Sequence, residues 1–174
     1  GVDIPIVAMG HLFTAGGQTI DGDGVRELYV GSLAHVTAGI FPASFDYLAL
    51  GHLHVPQKVN GLETIRYSGS PLPMGFGEAK QQKSVCLVVF NHEEGQGKPP
   101  SVQLIDVPVF QKLERVKGDW ESISSRMLEL SATDFQGWVE VIYEGEEVIG
   151  DLRERLETAV SGTGVEILRI KNNR

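Results

Sequence analysis

One cysteine, Cys86, stands among 174 residues, so no internal disulfide can form. A lone thiol inside an apolar run suits a reducing cytoplasm. Long apolar stretches are also missing. Nothing approaches the roughly 18 consecutive apolar residues that a membrane-spanning helix needs. Positive charge is scarce: 15 Lys and Arg face 23 Asp and Glu, for a formal net charge of -8. That balance excludes a module that holds nucleic acid mainly through a basic surface, because such binding needs cations to displace counterions from phosphates. A DNA substrate stays open if metal ions hold the phosphate. The opening Gly-Val-Asp-Ile-Pro has neither initiator Met nor basic region nor apolar core. It reads as an excised piece and not as a signal peptide. What is present, 41% hydrophobic and 22% charged residues, is the balance of an ordinary globular protein.

The first part of the chain reads as strands and loops. Pro5–Met9 is a short apolar run ending at Gly10-His11. The glycine-rich stretch from Thr14 to Gly24 is a loop. Leu28–Val30 suits a short strand. Ser32 is placed to cap a short helix in which Leu33, Val36 and Ile40 have helical spacing. Phe45–Leu50 is a strand ending at Gly51. Asn60-Gly61, between Gln57–Val59 and Leu62–Tyr67, accepts the positive φ angles of a type I′ turn and predicts a hairpin. Ser84–Phe90 is a continuous apolar run, expected to be a strand buried on both faces. His92–Pro100 reads as an exposed turn.

The second part changes character. Val102–Val109 is predicted as a strand. Asp119 is predicted to cap a helix whose face carries Trp120, Ile123, Met127 and Leu130. Trp138–Tyr143 is a strand. Asp151 with Glu154 resembles a capping box opening a helix with Leu152, Leu156, Ala159 and Val160. Gly162 and Gly164 stop it, and Val165–Ile170 is a last strand. The order is β-α-β-α-β, a small α+β domain with helices on one face, with its boundary near residue 104. The expected domains are 1–103 and 104–174.

Chemistry rests on histidines. His11, His52 and His54 each follow an apolar run, and His11 and His52 directly follow a glycine. A single histidine at a strand end is ordinarily a surface or capping residue. The doubling in Gly51-His52-Leu53-His54 points further. In extended chain, residues two apart face the same side, so His52 and His54 would project together while Leu53 faces the core. Their Cα atoms would lie about 6.5–7 Å apart, and catalytic metal pairs sit about 3.5–4 Å apart, so each imidazole could hold one ion of a pair. Imidazole suits Mn, Fe and Zn, and added carboxylates favour Mn or Mg. His35, on a predicted surface helix, and His92, in a turn, read as structural.

The segments 4–12 (IPIVAMGHL), 26–33 (RELYVGSL), 45–59 (FDYLALGHLHVPQKV) and 66–78 (RYSGSPLPMGFGE) resemble the C-terminal half of SbcD-family proteins. These are the nuclease components of bacterial SbcCD complexes, in the calcineurin-like metallophosphoesterase superfamily. The likeness runs through most of residues 4–110 and more loosely to the end. It implies the C-terminal half of a metallophosphoesterase β-sandwich followed by a capping domain that helps position DNA. It implies that His11 and His52 bind the second of two manganese ions and His54 the first, polarising a DNA phosphate and generating the attacking hydroxide. Ser68, Gly69 and Ser70 would form a turn near the site and touch the DNA backbone, unless the turn is purely structural. The family's Asp-x-His, Gly-Asp and Gly-Asn-His motifs belong to its N-terminal half, outside the region matched. Three neutral histidines cannot offset two divalent ions, and no proton donor for the leaving group remains. Asp3 and Asp46 precede strands, at the wrong ends to help. The expectation is therefore a contribution to an ATP-dependent double-strand DNA exonuclease and hairpin endonuclease. It would be partnered by an SbcC-type ATPase, with DNA ends and hairpins as substrates and no membrane. The chain alone is expected to be inactive, with Mn bound weakly or not at all. Two other readings use the same histidines: another calcineurin-like phosphoesterase (a phosphatase or cyclic-nucleotide phosphodiesterase), or a non-enzymatic scaffold.

Overall fold

The structure, a computed structural model, describes residues 4–25, 36–90 and 99–173. The expected strand Leu28–Val30, the cap at Ser32, Leu33, His35, His92 and Asp3 lie outside them. The described residues are mixed α+β and form three separate sheets. The chain divides into two compact units, Gly1–Pro108 and Val109–Arg174.

The first unit is built on β1 (Val7–His11), β2 (Tyr47–Gly51), β3 (Gln57–Val59) and β4 (Leu62–Tyr67). They form one sheet in the order β1-β2-β4-β3. β1, β2 and β4 run parallel, and β3 pairs antiparallel with β4. The hairpin is where Asn60-Gly61 predicts it. Both residues take positive φ, 50° and 74°, which Asn and Gly tolerate and branched residues do not. Leu48, Leu50, Leu53, Val59 and Tyr67 form the core. The Tyr67 hydroxyl is its polar exception. It donates to the Leu12 carbonyl at 2.6 Å and accepts from the Thr14 amide at 3.0 Å. A buried phenol with both valences used pins the chain that leaves β1 to the end of β4. Asp46 is likewise structural, since its carboxylate accepts the Ile6 amide at 2.7 Å.

Two expectations for this unit need correction. Val36 sits in an isolated bridge to Thr14, and only a 3-10 turn, Ala38–Ile40, follows. The helical spacing of Val36 and Ile40 therefore does not make a helix there, because the Val36 amide and carbonyl are taken by the Phe13–Ala15 backbone. β5 (Ser84–Val89) pairs with β6 (Ser101–Asp106) in a two-stranded antiparallel sheet. Val85, Leu87 and Val89 are 40–44% exposed, so β5 is covered on one face and not on both. Cys86 is half-buried on the other face. Burial, together with the Cys86 thiol beside it, pushes the Tyr47 phenol up to about 12.

The second unit begins later than residue 104. β6 belongs to the first unit because it pairs with β5 throughout. The opening strand of the β-α-β-α-β unit is β7 (Lys112–Gly118) instead. It is followed by α1 (Trp120–Ser131), β8 (Gly137–Tyr143), α2 (Leu152–Ala159) and β9 (Val165–Asn172). The three strands are parallel in the order β7-β8-β9. Val116, Val139, Val141, Tyr143 and Val165 of the sheet form one core with Ile123, Met127, Leu130, Leu152 and Leu156 of the helices, so both helices pack on the same face. Asp119 caps α1 by accepting the Ser122 amide at 2.9 Å, and the Ser122 hydroxyl together with that amide holds its carboxyl below the usual range. Asp151 forms no such cap. Its carboxylate pairs with Arg155 instead, which competes with the expected capping box.

On the sheet face away from the helices, Glu140 is fully buried. Arg115 Nε donates to it at 2.6 Å, with Arg169 and Lys171 at 3.0 and 3.3 Å. Burial works to raise the Glu140 pKa, but the bonds to Arg115 and Lys171 outweigh it and hold the carboxyl below its usual value. This pairing lets a strand as charged as Lys112-Leu-Glu-Arg-Val-Lys-Gly sit in a sheet.

Candidate metal centre

The parallel sheet determines where the histidines emerge. β1 ends at His11 and β2 at Gly51, in register as direct partners. Both strands leave at the carboxyl edge of the sheet, the edge where open parallel sheets place ligands. His11 is exposed there, beside a shallow depression bordered by Gly10, Leu50 and Gly51. The glycine at 51 has a steric reason. A Cβ at that position would stand 3.0 Å from His11 Nδ1, so a larger residue would displace the ring.

His52 follows with φ 108°. That conformation suits glycine and strains a side chain, at a cost of about 1–3 kcal/mol. It also corrects the sequence expectation. His52 and His54 are not on one face of extended chain, because the strand stops at Gly51 and turns sharply at His52. The turn swings the His52 ring against His11, with centroids 5.2 Å apart and planes at 75°, and against Phe13 at 6.0 Å. Leu53 enters the core as expected, 2% exposed. Replacing His52 by glycine should therefore give a protein more stable than the alanine variant by about 1 kcal/mol or more, read by urea denaturation, because only alanine keeps the strain. The reverse order would show that the backbone is relaxed at that position.

His54 makes its contacts elsewhere. Its Nδ1 lies 2.8 Å from Glu78 Oε1 and 2.9 Å from the Asp23 carbonyl oxygen, and its side chain is 20% exposed. Glu78 is fully buried. Its other oxygen accepts from Ser70 Oγ at 3.1 Å and from the Met74 amide at 3.2 Å, and it pairs with Lys83 Nζ. Lys83, also buried, donates to Ser70 Oγ at 2.9 Å and Gln81 Oε1 at 2.7 Å. The Asp23 carboxylate is occupied in folding its own loop, accepting the Ile20 and Val25 amides at 2.9 and 2.8 Å. Gly69 has φ 80°, and Ser68 and Gly69 are half-buried. The hydroxyl of Ser70 is spent inside the protein on Glu78 and Lys83.

The structure thus brings His11 and His52 together and sets His54 in a separate polar cradle. Among the described residues, no three His, Cys, Asp or Glu side chains converge to hold a metal ion. The donors present are imidazoles, and they fit as a contribution to a two-metal centre without completing one. Sequence reasoning missed Glu78, Lys83 and the Asp23 carbonyl. Glu78 is 24 residues from His54, and its one local signal is the Gly75-Phe-Gly-Glu78 turn.

Residues 109–174 match a family described as the type 5 capsule protein repressor C-terminal domain. The chain is 35% identical over 173 residues to the SbcD component of nuclease SbcCD from Escherichia coli (strain K12), covering 98% of this chain and 42% of that protein. It is 45% identical over 83 residues to the SbcD component of the same nuclease from Bacillus subtilis (strain 168), covering 47% of this chain and 21% of that protein. The chain therefore spans less than half the length of these relatives.

Proposed function

Because the chain belongs to the SbcD family, we propose that it is the ligand-contributing C-terminal part of a metal-dependent DNA nuclease. In this reading His11 and His52 serve one manganese ion and His54 the other. The first unit is half of a metallophosphoesterase sandwich, and the second corresponds to the family's capping domain. Substrates are double-stranded DNA ends and hairpins, and the partner is an SbcC-type ATPase in the cytoplasm. Among the described residues no helix is long and apolar enough to cross a membrane.

The supporting observation is the His11–His52 pair at adjoining strand ends, with His52 held at φ 108°. Strain of this kind persists only where the surrounding structure imposes it, and it concentrates at functional sites. Bound divalent ions would supply Lewis-acid polarisation of a phosphodiester and activation of water. This chain's own residues contribute orientation: β1 and β2 set the first pair, and Glu78 with the Asp23 carbonyl sets His54. Ser68 and Gly69, half-buried in the turn that ends on Ser70, are proposed to meet the DNA backbone.

A catalytic centre also needs charge to offset two divalent ions and a proton donor for the leaving group. Three imidazoles supply neither. The purified 174-residue chain, given Mn2+ and end-labelled duplex DNA, should therefore leave the DNA intact under conditions where the full-length protein with its ATPase partner degrades it. Mn-dependent cleavage by the short chain would overturn this division of labour.

A further inference from the structure

We infer that Glu78 is a positioning residue that fixes which ring nitrogen of His54 is presented as a ligand. The inference rests on the proposed metal role of His54. Both groups facing Nδ1 are acceptors, a carboxylate at 2.8 Å and a backbone carbonyl at 2.9 Å. Nδ1 therefore carries a hydrogen, and in the neutral ring the lone pair lies on Nε2. An anionic acceptor on one nitrogen makes the other a stronger donor to a metal, and removing such outer partners typically weakens metal binding about 10–100-fold.

The surroundings argue that this contact is built in. Lys83, Ser70 and the Met74 amide all engage Glu78 Oε2. Oε1 is left to the imidazole. The backbone is arranged to the same end. The 3-10 turn Phe76–Glu78 docks directly on the loop that carries Asp23, with the Gly77 amide donating to the Gly22 carbonyl at 3.2 Å. A Cβ on Gly77 would fall 2.2 Å from the Asp21 carbonyl oxygen, so this docking requires glycine. One tight contact thus brings both acceptors onto one side of one ring. Lys83 completes the cradle, since its Nζ also reaches the His54 carbonyl at 3.4 Å.

The test compares two double variants, because removing Glu78 alone would strand a buried Lys83. Glu78→Gln with Lys83→Met keeps a neutral acceptor for Nδ1. Glu78→Met with Lys83→Met removes it. Long-range 1H–15N NMR of the 174-residue chain reports the His54 tautomer directly, and Mn2+ titration of the full-length protein reports affinity. The Gln variant should keep hydrogen on Nδ1 and stay within about threefold of wild-type affinity. The Met variant should shift towards hydrogen on Nε2 and lose about 10–100-fold in Mn2+ affinity. A folded Met variant that keeps both the tautomer and the affinity would overturn the inference. If His54→Ala leaves Mn2+ affinity unchanged, the metal reading fails by itself, and the NMR result still decides whether Glu78 controls the ring.

Discussion

Replacing Lys83 by alanine should destabilise the chain by about 3–5 kcal/mol, the largest effect expected of any single polar substitution in the first unit. The Lys83 side chain is 4% exposed and that of Glu78 fully buried. Each is the other's buried charge partner. With the ammonium gone, Glu78 is left buried without its cation, the situation that makes removal of one member of a buried pair costly. The change also removes the donor to Ser70 and Gln81, which accept from the same Nζ. Urea denaturation of the chain measures this. Joint replacement of Glu78 and Lys83 by methionine should recover much of the loss, because a buried ion pair exchanged for apolar groups of similar volume is often neutral. A loss below about 1 kcal/mol for Lys83→Ala would mean that the pair contributes no more than a solvent-exposed one.

The second large effect concerns function. In the full-length protein the proposed ligand roles predict that His52→Ala and His54→Ala each lower bound manganese and DNA cleavage by at least about tenfold, since losing a ligand costs no less than losing its outer partner. His35→Ala and His92→Ala serve as controls and should leave metal content unchanged, as their sequence contexts read as a surface helix and a turn. Metal content by mass spectrometry, measured beside the melting temperature, separates loss of a ligand from loss of fold. Survival of both metal and activity in the His52/His54 double variant would favour the scaffold reading.

Much of this arrangement is legible from residues alone because it depends on short-range rules. Asn60-Gly61 dictates a turn whatever surrounds it, and Asp119 can cap only the helix that follows it. Leu53 is apolar between two histidines and falls into the core. What escapes sequence reading depends on partners distant in the chain. The sequence assigns no element to Lys112–Gly118, because the buried counter-charge for Arg115 is Glu140, 25 residues away. The run Ser84–Val89 looks fully buried, yet one partner strand leaves Val85, Leu87 and Val89 open on one face. His52 and His54 look like neighbours on a strand, and a single positive φ sends them to different surroundings. Glu78 is marked locally only by its Gly-Phe-Gly turn, because its meaning comes from His54, Ser70 and Lys83 together.

The most direct measurement is anomalous scattering at the manganese edge from crystals of the full-length protein soaked with Mn2+. Two peaks are expected at the carboxyl edge of the sheet: one within coordination distance of both His11 and His52, the other against His54 Nε2 while Nδ1 still faces Glu78. Manganese bound away from these rings, or bound to His54 through Nδ1, would contradict the account.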